Sequence, residues 1–216
     1  FCVVFFRRIS YNRPRHTENK RIKEMKPMKK KTGLTVIIVI VALLLLVVGG
    51  TMATYNGLVQ KEENVDSALA DLDVMLQRRA DLIPNLINTV KGYVEHENEV
   101  IDAITTAREA LVGADSVADK AAANEALTGA LGNLMVVVEN YPDLKSSDNF
   151  IALQDELAGT ENRIAVARRD YNDAVKTINA AVKKFPGKLI ADMFGFESRE
   201  YFEADEAANT VPEVSF

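Results

Sequence analysis

The feature that most constrains the fold of this chain is an apolar run near its N-terminus. The run begins at Leu34 and ends at Val48, and no charged residue occurs between positions 32 and 60. A helix of about 20 predominantly apolar residues crosses the roughly 30 Å hydrocarbon core of a bilayer. The alternative, a core helix, would have to be buried on every face, because this run carries no strongly polar side chain on any face. We therefore predict a transmembrane helix over residues 32–54, in contact with lipid from Leu34 to Val48.

A cleaved signal peptide is the main alternative to an anchor, because Lys29, Lys30 and Lys31 precede the apolar run as a basic n-region would. No A-x-A cleavage site follows the run, and its length lies at the upper end of the range for signal peptides. These two features favour an anchor that is not cleaved.

Basic residues are concentrated on the N-terminal side of the predicted membrane helix. Four lysines lie between positions 26 and 31, whereas the first basic residue after the run is Lys61, beside two glutamates. Cytoplasmic flanks of membrane helices carry an excess of Lys and Arg. We therefore predict a cytoplasmic N-terminus and a C-terminal domain on the periplasmic or extracellular side; the opposite orientation is the alternative.

The first 24 residues do not fit this plan, because they lack an initial Met and mix apolar and basic residues without a helical or strand period. We interpret residues 1–24 as a non-native or disordered extension and residues 25–31 as a basic cytoplasmic flank. On this hypothesis translation begins at Met25 or Met28. A disordered basic cytoplasmic tail is the alternative.

The charge of the chain is strongly asymmetric. Eleven basic and two acidic residues occur up to Gly49, whereas 15 basic and 29 acidic residues follow it. An acidic domain repels phosphate backbones, so the sequence argues against a nucleic-acid partner. Cys2 is the sole cysteine, so no disulfide within the chain is available.

Apolar residues after the predicted anchor recur in steps of three, four and seven, which is typical of helices with one buried face. We call each such row of apolar residues along one face of a predicted helix a stripe. The first stripe contains Val65, Leu69, Leu72, Leu76, Ile83, Leu86 and Val90. Pro84 lies inside this pattern and removes one backbone donor, so we expect a kink or a break there. Gly92 is a second position at which we expect this helix to be weakened.

Three further stripes follow the first. They are Val100, Ile104, Ala107 and Leu111; then Leu127, Leu131, Leu134, Val138 and Tyr141; then Phe150, Leu153, Leu157, Ile164, Ala167, Tyr171, Ala174, Ile178, Ala181 and Phe185. Four amphipathic helices bury their stripes by packing together. The predicted fold is therefore all-α, with a transmembrane helix followed by a long antiparallel four-helix bundle over residues 55–187.

Residues 188–216 form a different segment, rich in large apolar side chains. Its interaction candidates are Phe194, Phe196, Tyr201 and Phe202. Such a segment either docks on the bundle or binds a partner protein. We favour docking, because an exposed apolar patch of this size would promote aggregation.

Several segments in a fixed order resemble the bacterial LemA family. They are YNGLV at 55–59, LQRRADLIPNLINTVKGYVEHE at 76–97, the stretch beginning ENYPDLKSSDNF at 139, FPGKLIADMFGF at 185–196 and the ending VPEVSF at 211–216. The resemblance covers residues 51–216 and implies an N-terminal membrane helix, a long helical bundle and no established enzymatic activity. It also allows a short N-terminus on the outer side. One departure is that Leu69 occupies the place of a Trp that the family commonly carries.

The sequence lacks the usual signatures of catalysis and cofactor binding. His96-Glu97 starts like the zinc motif H-E-x-x-H, but Val100 stands where the second histidine belongs. No glycine-rich phosphate loop is present. We therefore predict no catalytic residue, no cofactor and no metal site.

Two pairs of adjacent arginines interrupt the predicted helices. Arg79 lies close to the first stripe, and Arg168 adjoins Ala167 of the fourth. We hypothesise that Arg79 meets a carboxylate of the fourth helix, namely Glu161, Asp170 or Asp173, and so sets the register of the bundle. Arginines whose charged ends reach solvent are the alternative.

The predicted function is that of a membrane-anchored scaffold or interaction module at the bacterial cell envelope, with partners among envelope proteins. The alternative is an envelope enzyme or small-ligand carrier whose site the sequence does not reveal. Homo-oligomerisation stays open, although Gly49-Gly50 does not match G-x-x-x-G.

Overall fold

The computed structural model describes residues 30–94 and 96–203. Six helices form in these ranges: α1 (Lys30–Lys91), α2 (Asn98–Val112), α3 (Val117–Val138), α4 (Pro142–Lys145), α5 (Asp148–Lys183) and α6 (Gly187–Phe194). No strand occurs within the described ranges, which confirms the predicted all-α class. The extension 1–24, the start at Met25 or Met28 and the ending VPEVSF lie outside the described residues.

Helix α1 contains the apolar run and confirms that this run is helical. The large side chains between Leu34 and Val48 are 48–73% exposed, so the protein itself does not cover them. A helix that is apolar on every face and exposed is suited to lipid. By length and composition α3 could also cross a membrane, but 39% of its apolar window is buried, whereas none of the α1 window is. We therefore treat α1 as the candidate anchor and α3 as a core helix.

The chain divides into two compact units between Leu46 and Val47. The second unit holds the core, to which α1, α2, α3 and α5 contribute their predicted stripes. In the first stripe six residues are buried, and Leu69 packs against them. The antiparallel four-helix arrangement and the predicted boundary at residues 54 and 55 stay predictions.

One predicted core residue is wrong. Phe185 was expected to continue the stripe of α5, but its side chain is 85% exposed. Helix α5 ends at Lys183, so the helical period no longer applies at position 185. Val175 and Val182, which the stripe omitted, are buried instead.

Pro84 does not break α1, which continues to Lys91 and ends just before Gly92. A proline at this position cannot donate to the carbonyl of Ala80. The side chain of Arg108 on α2 replaces the missing donor, since its Nε atom donates to the Ala80 oxygen at 2.8 Å. A tertiary contact therefore satisfies the group that proline leaves unpaired.

Replacing Arg108 by methionine is expected to lower the free energy of unfolding by about 1–3 kcal/mol, because a buried carbonyl loses its donor. In a Pro84→Ala background the loss should shrink, since the N–H of residue 84 can then bond to Ala80. Urea unfolding followed by circular dichroism of all four proteins would measure this coupling. Equal losses in both backgrounds would contradict the assignment.

Two glycines fix the path of the chain around α6. A Cβ atom on Gly187 would collide with the carbonyl oxygen of Ala181, so only glycine allows α6 to start this close to α5. Gly195 ends α6 with φ of 80°, in the left-handed region that favours glycine. Ile190 and Ala191, both 2% exposed, attach α6 to the core.

Candidate functional site

Arg79 forms the centre of a buried polar cluster that joins three helices. Its Nη1 atom donates to Asn124 Oδ1 at 2.6 Å and its Nη2 atom donates to Thr128 Oγ1 at 3.0 Å, both on α3. Nη1 also lies 2.5 Å from Oε2 of Glu161 on α5. Of the three carboxylates considered in the sequence, Glu161 is therefore the partner. The Arg79 side chain is 4% exposed, whereas that of Glu161 is 44% exposed.

Burial and ion pairing have opposite effects on the pKa of Arg79. Burial lowers the pKa of the Arg79 guanidinium below its ordinary value, and the Glu161 carboxylate partly offsets this effect. An arginine in this position still carries its charge at neutral pH. Two buried atoms, Arg79 Nε and Glu161 Oε2, have no hydrogen-bond partner in the described part of the chain. Glu161 Oε2 lies against the opposite charge of Arg79 Nη1, whereas Arg79 Nε faces no acceptor among the described residues.

An open cavity of about 220 Å³ adjoins this cluster. Its lining combines Arg79 and Glu161 with residues of α1, α3 and α5 that are mostly apolar: Leu86, Thr128, Leu131, Gly132, Leu134, Met135, Phe150, Gln154, Leu157 and Ala158. The two polar atoms without a partner thus lie in residues at the edge of an apolar space.

The other predicted arginine is in a different environment. Arg168 is exposed and has no ion pair among the described residues. It lines a shallow cavity of about 170 Å³ together with Asn124, Glu161 and Phe202. Arg78, the sequence neighbour of Arg79, is also exposed and pairs with Glu156 of α5 at 2.7 Å.

The described ranges 30–94 and 96–203 hold no group of three or more His, Cys, Asp or Glu side chains arranged to bind a metal ion. The absence of catalytic, cofactor and metal residues stays a prediction.

The segment after α6 is attached to α5 through two asparagine side chains. Asn179 donates to the carbonyl of Arg199 and accepts from its N–H, at 2.9 and 2.8 Å. Asn172 forms the same pair of bonds with Phe202, at 3.1 and 2.8 Å. The Phe202 side chain is 3% exposed. These four bonds, which we call the asparagine clasp, hold residues 199–202 against α5.

The same segment also contacts α1. The guanidinium of Arg199 lies 2.9 Å from Glu62 and 3.4 Å from Asp66. The hydroxyl of Tyr171 on α5 donates to the carbonyl of Glu200 at 2.8 Å. Residues 199–202 therefore connect α5 with α1.

The stability of the folded chain is expected to depend on pH through Tyr171. Burial raises the pKa of its phenol, with the carboxylates of Glu200, Asp66 and Asp73 adding to the rise and Arg199 opposing it. The unfolded chain therefore loses this proton at about pH 10, before the folded chain does. The folded state binds more protons in that interval, so the free energy of unfolding should fall as the pH rises above about 10. Chemical unfolding measured from pH 8 to 11 should show a smaller fall in Tyr171→Phe than in the wild type, and an unchanged fall in the exposed control Tyr93→Phe.

The predicted aromatic residues do not form one cluster. Phe194 and Phe196 contact Tyr55 of α1, with ring centroids 4.9 and 5.6 Å apart and edge-to-face geometry. Phe202 is buried in the hydrophobic core, and Tyr201 is 38% exposed. The structure therefore separates the aromatic contact at Tyr55 from the clasp, whose Phe202 shares a shallow cavity with the Arg79 partners Asn124 and Glu161.

Sequence reasoning missed Arg108, Asn172 and Asn179. The two asparagines are seven residues apart, so they share one face of a helix, and this spacing was the available signal. Arg108 had no such signal, because its role depends on which helix packs beside Pro84.

Comparisons with known proteins agree with the resemblance found in the sequence. A profile of the LemA family matches residues 68–216. Magnetosome protein MamQ 2 of Paramagnetospirillum magneticum is 30% identical over 182 residues, which cover 72% of this chain and 67% of that protein. Magnetosome protein MamQ of Magnetospirillum gryphiswaldense is 28% identical over the same length and coverage. Protein LemA of Metamycoplasma hominis is 25% identical over 154 residues, 70% of this chain and 69% of that protein. Because the profile covers well over half of its length, this chain belongs to the LemA family.

Proposed function

We propose that this chain is a membrane-anchored, non-enzymatic scaffold or interaction module at the bacterial cell envelope. The observation that carries the proposal is the composition of α1. This single helix has an exposed apolar run between Leu34 and Val48 and, further along, a stripe buried in the folded core. A helix with such an apolar run can anchor a folded domain to a bilayer.

A depression between α1 and α5 is the surface that best fits a partner protein. Its volume is about 410 Å³, and all its lining residues come from the two helices: Ala68, Asp71, Met75, Asn162, Arg163, Val166, Ala167 and Asp170. Val166 is 47% exposed there. Apolar side chains flanked by two aspartates and one arginine suit a partner that presents an apolar residue beside a basic one.

Site-specific photo-crosslinking in native membranes tests this surface. A benzophenone amino acid at Val166 is expected to capture a specific envelope protein, because Val166 borders the depression. The matched control places the same group at Val136, which is 71% exposed on α3. The scaffold proposal fails at this surface if Val166 yields no adduct, or if both positions yield the same adducts.

The orientation that we propose has a cytoplasmic N-terminus and an exported C-terminal domain, with support from the lysines before α1. A Cys2→Ser, Val136→Cys variant offers a single thiol on the domain. A membrane-impermeant maleimide should label this thiol in cells whose outer membrane has been opened, without lysis of the inner membrane. Labelling only after lysis would establish the opposite orientation.

A second candidate function, small-ligand carriage, is favoured by the cavity beside Arg79. One buried donor, Arg79 Nε, lacks a hydrogen-bond partner at its edge within the described residues. Arg79 and Glu161 have opposite charges, so a neutral head group that both donates and accepts suits them better than an ion does. A short primary amide with an aliphatic tail has this chemistry.

Calorimetric titration with hexanamide tests this second function. Saturable binding is expected for the wild type, and weaker binding for hexanoate. Gly132→Leu should abolish binding, because it places a side chain in open space at the cavity. An absence of saturable binding to the wild type would exclude the carrier function for this class of ligand.

A further inference from the structure

Helix α6 and Phe185, two residues before it, leave large apolar side chains uncovered. Phe185 is 85% exposed, Leu189 57% and Met193 67%, and Phe194 is 56% exposed. Leu189 and Met193 are four residues apart and therefore lie on one face of α6. We call Phe185, Leu189, Met193 and Phe194 the α6 patch. A patch of this kind on a folded domain marks a contact with another apolar phase.

The α6 patch lies beside the end of the uncharged part of α1. Phe194 contacts Tyr55, and Tyr55 precedes the first charged residue after the apolar run, Lys61. About 20 helical residues cross the hydrocarbon core, so a span that begins at Leu34 ends near Ala53. Tyr55 comes two positions later, at the depth where tyrosines concentrate in membrane proteins. Through Phe194 the patch thus contacts the part of α1 that directly follows the predicted span.

The charges around the α6 patch differ from those of the rest of the domain. Lys183, Lys184 and Lys188 are exposed, and the one acidic residue of this stretch, Asp192, lies 3.3 Å from Lys188. The chain after Gly49 is otherwise rich in acidic residues. Lysines beside exposed apolar side chains are typical of segments that lie in the membrane interface and attract anionic lipids.

We propose that the α6 patch is a second membrane contact, which inserts into the head-group region of the bilayer that α1 crosses and prefers anionic lipid. This inference rests on the proposed function, because it requires α1 to be the anchor. Gly187 and Gly195 support the contact by fixing the start and end of α6, while Ile190 and Ala191 hold its opposite face on the core.

Spin labelling of the full chain in lipid nanodiscs tests the proposal. The sole cysteine, Cys2, is replaced by serine, and single cysteines are introduced at Leu189, Met193, Val41 and Val136. All four side chains are at least 48% exposed, so labels there should not disturb folding. Nanodiscs of phosphatidylcholine alone are compared with nanodiscs that also contain phosphatidylglycerol. The measured quantity is the ratio of collision rates with oxygen, which enters lipid, and with a nickel chelate, which stays in water.

The ratio at Leu189 and Met193 is expected to exceed that at Val136 several-fold, and to rise when phosphatidylglycerol is present. A ratio at Leu189 and Met193 equal to that at Val136, with a high ratio at Val41, would overturn the α6 contact and leave the anchor intact. A low ratio at Val41 would instead overturn the anchor, and with it the proposed function. Immobile labels at Leu189 and Met193 that neither reagent reaches would show that protein covers the patch, which also overturns the proposal.

Discussion

Replacement of Arg79 by alanine is expected to lower the free energy of unfolding by about 2–4 kcal/mol. Removing one partner of a buried charge pair costs about 3–5 kcal/mol when both partners are buried. Here Glu161 is 44% exposed and can regain water, so the loss should lie somewhat lower. The Asn124 side chain, which belongs to a residue only 8% exposed, also loses its donor. Chemical unfolding of the detergent-solubilised chain, followed by circular dichroism, measures the change.

Arg78→Ala is the matched control, because the two arginines are adjacent on α1 and each pairs with a glutamate of α5. The Arg78 side chain is 50% exposed, and exposed pairs contribute about 0–1 kcal/mol. Equal losses in the two variants would show that the Arg79 cluster does not join the helices in the way its contacts indicate.

Replacement of Phe150 by alanine is expected to cost about 3–5 kcal/mol, which is the usual range for a fully buried phenylalanine. Phe150 is 1% exposed in the first turn of α5, where it also lines the cavity beside Arg79. Its loss leaves an empty volume that the surrounding helices fill only in part. Thermal and urea unfolding in the same detergent would report the change.

Phe185→Ala provides the control for the same chemical change at an 85% exposed position. We expect its free energy of unfolding in detergent to stay within about 0.5 kcal/mol of the wild type. If Phe185→Ala were as destabilising as Phe150→Ala, Phe185 would have to be buried, and the α6 patch would lose one of its members.

The helices and most of the core could be predicted because helical periodicity is a local property of the sequence. The stripe of α1 is correct along its whole length, as six of its residues are buried and Leu69 packs against them. The stripe of α5 fails only at Phe185, where the helix has already ended. The chain turns over residues 184–186. The helical period of α5 therefore does not predict which residues are buried beyond this turn.

The candidate site was predicted less completely, because its contacts join residues far apart in the chain. Arg79 and Glu161 could be considered together, since opposite charges near two stripes suggest a pair. Asn124 and Thr128 carry no charge, so nothing in the sequence connected them with Arg79. Tertiary packing also decides the outcome at Pro84, where Arg108 replaces the missing backbone donor.

The asparagine clasp fixes the number of residues between Arg199 and Phe202. Asn172 and Asn179 are seven residues apart, and a helix rises about 1.5 Å per residue, so they are separated by about 10.5 Å along α5. Their partners, Phe202 and Arg199, are three residues apart, and an extended chain advances about 3.3 Å per residue, or about 10 Å in all. The two lengths agree only if residues 199–202 are extended. One residue inserted between Arg199 and Phe202 would leave one asparagine without its partner, so this segment tolerates substitution far better than a change in length.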